Sequence, residues 1–173
     1  MISIICTTDR PESNSHKLCR IYENLLSSLG QECQILDMRQ VDPKWIQESS
    51  FGENSSEFEA VVSRYIRSAE KLIFITPEYN GTFPGYVKYF MDACDYGDFN
   101  GKKAALMGLA TGRGGNMRGL DHLTGILHYL GCEVYSKKVC VSQVNTCLNK
   151  EGELISEAVQ NEISAQLSGF VTF

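Results

Sequence analysis

The sequence predicts a doubly wound α/β domain, a five-stranded parallel sheet in the order 2-1-3-4-5 between two layers of helices. Strand-like and helix-like segments alternate from end to end, the pattern of chains that return to a parallel sheet through helical crossovers. Right-handed crossovers leave few topologies for such a chain, and this order is the simplest. The 173 residues, 43% of them hydrophobic, suit one domain over 1–173, since about 100 to 200 residues per domain is usual.

The apolar run ISIIC (2–6) is the first strand. A helix over 14–29 follows, with Leu18, Ile21, Leu25 and Leu29 at helical spacing and Gly30 placed to end it. CQILD (33–37) is the second strand. Segment 38–55 is polar and broken by Pro43 and Gly52, so a long loop carrying Trp45 is expected there. Ser56 and Glu59 form a capping-box pattern, opening a helix whose Phe58, Val61, Val62, Tyr65 and Ile66 share one face. KLIFI (71–75) is the third strand, and Pro84 starts a helix to about Ala93, at a position where its missing N–H costs nothing. KAALMGL (103–109) is the fourth strand. Leu120, Leu123, Leu127 and Leu130 mark the next helix, Gly131 stops it, and 132–144 supplies the fifth strand. The last helix spans about 152–167, with Ile155, Val159, Ile163 and Leu167 on one face, making five strands and five helices. This is the flavodoxin-like arrangement, whose crevice opens between strands one and three.

Composition excludes several functions. A net charge of −5 with scattered Lys and Arg gives no basis for binding nucleic acid or an anionic membrane. The longest apolar runs fall far short of the ~20 residues of a spanning helix, and Met1 opens no signal peptide. Seven cysteines, an odd count without CxxC or zinc-like spacing, point to reduced thiols, a cytoplasmic protein and no metal site. His16, His122 and His128 read as helix-surface or packing residues, and no serine elbow or hydrolase-like acid pair is present.

Three loops carry unusual chemistry at the crevice. The first, TTDRPESNS (7–15), sets hydroxyls and Arg10 before a helix N-terminus, where free N–H groups and about half a positive charge suit a phosphate. Ser13 also serves as a plain helix cap, and Asp9 and Glu12 partly oppose an anion. In the second, a Tyr-Asn-Gly turn follows Pro77, with Tyr79 as a stacking face and Gly81 allowing close approach. The third, TGRGGN (111–116), is neither a Rossmann fingerprint nor a P-loop. Its Thr111, Gly112, Gly114 and Gly115 allow a flat ring to approach the backbone, while Arg113 and Arg118 attract nucleotide phosphates or are merely solvated.

Thr8, Arg10 and Ser13 match the S-x-R-x-x-S loop of the NADPH-dependent FMN reductase family, TPEYNGTFPGYVKYFMD resembles its PEYNGSxPGxLKNxxD block, and 108–119 resembles its glycine-rich segment. Thr7 stands where that family commonly has glycine. The resemblance implies that Thr8, Arg10, Ser13 and Ser15 hold the FMN phosphate. It also implies that Pro77, Glu78, Tyr79, Asn80 and Gly81 line the isoalloxazine, with backbone N–H groups of the 78–81 turn at the N1 and O2 edge.

The resemblance further implies an FMN-dependent oxidoreductase that takes hydride from NADPH or NADH. Electrons then pass, by ping-pong turnover, to a quinone, azo compound, metal oxyanion or free flavin. No catalytic side chain is expected, because the flavin N5 carries hydride transfer. The alternatives are a flavodoxin-type carrier and a cofactor-free interaction protein. A homodimer or homotetramer is also implied; Tyr86, Val87, Tyr89, Phe90 and Met91 offer apolar surface beyond one core face, and Trp45 adds to it. The outer wall of the pocket is expected from 38–55 and a second subunit.

Overall fold

The computed structural model describes residues 1–52 and 55–173. Its sheet is built from β1 (Ile2–Cys6), β2 (Cys33–Asp37), β3 (Lys71–Pro77), β4 (Lys103–Leu109), β5 (Glu133–Val134) and β6 (Val139–Val141). All pairings are parallel, and the order is β2-β1-β3-β4-β5, with β6 also on β4. In the register, Ile4 stands beside Ile35 and Ile73, and Thr76 beside Gly108. The order is the predicted one.

Every residue of β1 is buried, as a strand covered on both faces requires. Alternate side chains feed two cores. Ile4, Ile73, Ile75 and Met107 pack with α1 (Asn14–Ser28) and α7 (Glu157–Phe170). Ile5, Phe74 and Leu106 pack on the other face with α2 (Pro43–Ser50), α3 (Ser56–Val62), α4 (Gly85–Ala93) and α6 (Met117–Tyr129).

Several expectations need correction. The segment 38–55 is no simple loop: Asp42 caps α2, Pro43 occupies its first turn, and Trp45 packs against the core. Positions 53 and 54 of that segment lie outside the described residues. Ser55, one residue earlier than expected, caps α3, and a π-helical turn, Ser63–Arg67, continues it. A further short helix, α5 (Tyr96–Phe99), is closed by a capping box between Asp95 and Asp98. Pro84 is the N-cap of α4 rather than its first residue, and Glu157 starts the last helix later than expected, behind the Ser156 cap.

The fifth strand is split. β5 covers the start of β4 and β6 its end, and over the gap the amide of Gln166 donates to Leu106 O (2.9 Å) and Lys137 O (2.7 Å). Tyr22 in turn donates to the Gln166 carbonyl at 2.8 Å, so the buried bonds that the ladder lacks are supplied from α1 and α7. On α4, Val87, Phe90 and Met91 are buried within this one chain, and the Tyr86 hydroxyl donates to Val41 O. The apolar surface assigned to a subunit contact is therefore mostly spent on the chain's own core. Among the described residues, no helix is long and apolar enough to cross a membrane, and no cluster of His, Cys, Asp or Glu has the arrangement of a metal site.

Candidate functional site

Loops from the carboxyl ends of β1, β3 and β4 meet where the chain order reverses between β1 and β3, the place where open parallel sheets form a crevice. The first loop begins with Thr7, which is buried and bonded to Ile75 O through both its N–H (3.2 Å) and its hydroxyl (3.1 Å). Its side chain thus faces the sheet and leaves the space above the loop clear. Thr8 is also buried; its hydroxyl accepts the Arg10 N–H (3.2 Å) and shares a 2.7 Å hydrogen bond with the Tyr79 hydroxyl. Ser13 caps α1 by accepting the Ser15 N–H at 3.1 Å. The Ser15 hydroxyl is left fully buried with no partner among the described residues. Arg10 is exposed and has no acidic partner among the described residues.

The second loop is a tight hairpin. Tyr79 N–H donates to Thr82 O (2.8 Å) and Thr82 N–H to Tyr79 O (3.1 Å), with Asn80 (φ 51°) and Gly81 (φ 80°) both left-handed between them. Two successive positive φ angles define a type I′ turn, the geometry Asn-Gly favours. The Gly81 backbone also lies against the end of the Arg118 side chain, which a Cβ there would approach to 2.9 Å at Nη1. Glu78 N–H donates to Leu109 O at 2.8 Å. Of the N–H groups of the 78–81 turn expected at a ligand edge, those of Glu78 and Tyr79 are spent inside the protein, and those of Asn80 and Gly81 have no acceptor among the described residues.

In the third loop, the carbonyls turn toward the segment after β6: Gln143 N–H donates to Gly112 O (2.8 Å) and the Ser142 hydroxyl to Arg113 O (2.7 Å). The N–H groups of 111–115 have no protein acceptor among the described residues. Asn116 closes this loop and was not singled out from the sequence. It is buried and left-handed (φ 64°), and its amide donates to Thr76 O (3.1 Å) and Pro77 O (2.9 Å). No signal short of the strand register places it there.

Between the three loops lies a cleft of about 430 Å³. Of the expected residues, Arg10, Ser13, Ser15, Pro77, Glu78, Tyr79 and Thr111 line it. Thr8 stands behind Tyr79, while Asn80, Gly81, Gly112, Gly114 and Gly115 lie outside its lining. Asn14 and Asn145, missed in the sequence, line it and bond to each other at 2.9 Å. Among the described residues, none of 38–55 lines it.

Two of the histidines are more engaged than expected. His122 Nδ1 is 2.9 Å from the Thr82 hydroxyl. His16 Nε2 lies 3.4 Å from the buried Asp37 carboxylate. Burial and then the Arg39 charge hold the His16 pKa below its ordinary value, so at neutral pH a neutral ring meets the carboxylate. For Asp37, burial alone would raise the pKa, but hydrogen bonds from Arg39 outweigh it and keep it below the usual carboxylate range.

The sequence pattern of the NADPH-dependent FMN reductase family matches residues 1–146. The chain belongs to that family. Among curated FMN reductase relatives, it is 32% identical over 117 residues to an NAD(P)H-dependent FMN reductase of Pseudomonas aeruginosa, an alignment covering 64% of this chain and 63% of that one. It is 27% identical over 115 residues to a 2-hydroxy-1,4-benzoquinone reductase of a Burkholderia species, covering 64% and 61%. The chain thus matches somewhat less than two thirds of the length of these relatives. Among solved structures, FerB, a flavoenzyme NAD(P)H:(acceptor) oxidoreductase from Paracoccus denitrificans, superposes with a TM-score of 0.84 at 21% identity, over 99% of this chain and 94% of that one. A Streptococcus pneumoniae flavodoxin superposes at 0.61 with 17% identity, over 99% and 96%. At those identities the likeness is one of fold.

Proposed function

We propose that the three-loop cleft binds FMN and that the protein is an NAD(P)H-dependent FMN reductase acting on a small-molecule electron acceptor. The observation that carries this is the fully buried, unpartnered Ser15 hydroxyl at the start of α1, beside the Ser13 cap and the free Arg10 guanidinium. A buried hydroxyl without a partner is costly, and a phosphate at the helix N-terminus satisfies it. The residues present fit the cofactor. Arg10, Ser13 and Ser15 hold the phosphate; Thr8, whose hydroxyl is engaged by Tyr79 and Arg10 N–H, shapes the loop. Tyr79 and Pro77 flank the ring. The N–H groups of Asn80, Gly81 and 111–115, which have no acceptor among the described residues, are the donors available to its polar edge; Thr111 lines the cleft, and Gly112, Gly114 and Gly115, outside that lining, place no side chain in the way of the ring.

Bound FMN supplies the hydride and electron transfer, accepting from NADPH or NADH and delivering to a quinone, azo compound, metal oxyanion or free flavin in ping-pong turnover. No protein acid or base is needed at the ring, and the chain's role is to bind, orient and polarise. The free thiols suit a cytoplasmic setting. Self-association as a homodimer or homotetramer completes the reading, supported by exposed Tyr129 and half-buried Ile126 on the groove between α4 and α6.

The test is reconstitution. Apo-protein titrated with FMN and riboflavin should bind FMN more tightly by the phosphate contribution, and NADPH or NADH should then reduce the complex anaerobically within the turnover time of an acceptor. A complex that binds FMN but reduces no acceptor catalytically is an electron carrier, and failure to bind FMN refutes the proposal. Sedimentation showing only a 19.3 kDa species refutes the self-association.

A further inference from the structure

Glu78 lines the cleft, yet its carboxylate is committed elsewhere: Oε2 accepts the Asn116 N–H at 3.2 Å. A Cβ on Gly114 would stand 3.1 Å from the same oxygen, so the third loop is folded directly against the carboxylate. Asn116 closes the contact from the other side with its two amide donations to Thr76 and Pro77 carbonyls. Held by these donations through Nδ2, the Asn116 side chain makes no cap bond to α6, and its Oδ1 is buried with no partner among the described residues. Gly119 is equally committed, since a Cβ there would stand 2.1 Å from Asn116 Oδ1.

We propose that Glu78 and Asn116 are positioning residues, a two-way latch that locks the second and third loops together and so aims the free N–H groups of Asn80, Gly81 and 111–115 at one ligand edge. This rests on the FMN reading of the cleft. Among the described residues, no hydrogen bond of the latch reaches a phosphate-loop residue, and its effect should therefore follow the ring rather than the phosphate. On reduction, negative charge gathers at the N1 and O2 edge of a flavin, so aligned donors favour the reduced ring more than the oxidised one.

The test compares Glu78→Ala, Glu78→Gln and Asn116→Gly, the last keeping the left-handed backbone while removing the amide. Hydrogen exchange on the apo-proteins reads the latch without flavin: Asn116 N–H protection should fall in Glu78→Ala and be largely restored in Glu78→Gln, whose amide oxygen can accept the same bond. In titrations, Glu78→Ala and Asn116→Gly should weaken FMN and riboflavin by the same factor, about tenfold or more, with Glu78→Gln recovering most of it. The bound-flavin potential should also move negative, by about 30 mV if the reduced ring loses tenfold more affinity than the oxidised one. A loss of stability alone would leave the potential unchanged. Unchanged exchange in Glu78→Ala, a loss confined to FMN, an unmoved potential, or Glu78→Gln as poor as Glu78→Ala would each overturn the latch. If the exchange result holds but the parent protein binds neither FMN nor riboflavin, the cleft reading fails and the ring-aiming role fails with it. Should Asn116→Gly not fold, Glu78→Ala decides alone, because Glu78 is only half-buried.

Discussion

Replacing Ser15 with alanine should move apo stability and FMN affinity in opposite directions. The hydroxyl is fully buried and unpartnered, and such a group costs about 1 to 3 kcal/mol. Alanine removes it with little loss of volume and is the better helix former by up to about 0.5 kcal/mol. The Ser13 cap is untouched, because it accepts from the backbone of residue 15. The ligand-free variant should therefore gain on the order of 1 kcal/mol, or about 2 to 4 °C in melting midpoint for a chain of this size. Bound FMN loses a charge-assisted hydrogen bond of about 1.5 to 3 kcal/mol, raising Kd roughly 10- to 150-fold. At FMN equal to 100 times the parent Kd, the ligand adds about 2.7 kcal/mol to the parent, and at most about 1.4 to a variant with tenfold weaker binding. Thermal melts with and without FMN, beside fluorescence titrations with FMN and riboflavin, read every part of this. Riboflavin affinity should stay within about twofold. A variant that melts lower without ligand and binds FMN unchanged would refute the placement of a phosphate at Ser15.

Arg10→Ala should weaken FMN about ten- to more than a hundredfold by losing a charged contact, with circular dichroism and riboflavin affinity unaltered in the same titrations. Gly119→Ala drives a Cβ to 2.1 Å from Asn116 Oδ1 and 2.8 Å from Phe83 N, and overpacking of this kind costs about 1 to 3 kcal/mol in urea denaturation. Phe90→Asp should unfold or aggregate the chain instead of merely dissociating a dimer, because Phe90 is 1% exposed and packs on Phe58 at 5.2 Å; a folded, soluble variant by circular dichroism would contradict this. Acid should lower the melting point in two stages. The unfolded His16 ring takes up a proton near pH ~6.5 while the folded ring resists it, so its contribution, whole above that pH, shrinks as pH falls through the folded value. The Asp37 contribution is whole above the unfolded value of about 3.9 and is lost as pH falls through the lower folded one. His16→Gln should abolish only the first stage in a series of melts against pH.

Most of the sheet was legible because a strand buried on both faces must be largely apolar, as ISIIC is apart from Ser3 and KLIFI is after Lys71. The failures have local and distant causes. Pro43 reads as a breaker in a polar stretch, but after the Asp42 cap it occupies the one turn of a helix where proline is harmless. The split between β5 and β6 has a distant cause: Gln166, on the last helix, takes the bond that Leu106 O would otherwise give to an edge strand. A sequence window around 132–144 holds no trace of it. The apolar face of α4 was misjudged for the same kind of reason, since α2, a helix not expected to exist, packs against α4, and the Tyr86 hydroxyl bonds to Val41 O just before it.

At the cleft, residue types pointed to three loops that the fold brings together, and geometry decided which atoms are available. Hydroxyls before a helix suggest an anion seat, yet Thr8 is engaged by Tyr79 and Ser13 by Ser15 N–H, leaving the Ser15 hydroxyl as the free one. Asn-Gly announces a turn, yet the hairpin it builds consumes the Tyr79 N–H that a ligand reading would assign to the ring. Asn116 shows why such assignments need the fold. Its partners Thr76 and Pro77 are some forty positions away and come within reach only because β3 lies beside β4 with Thr76 opposite Gly108. Gly108 is itself a condition of that approach: a Cβ there would stand 2.4 Å from Gly115 O and lift the third loop off the end of β4. Gly108 and Gly119 therefore serve first to seat Asn116 against β3, and that seating leaves the N–H groups of 111–115 without an acceptor among the described residues.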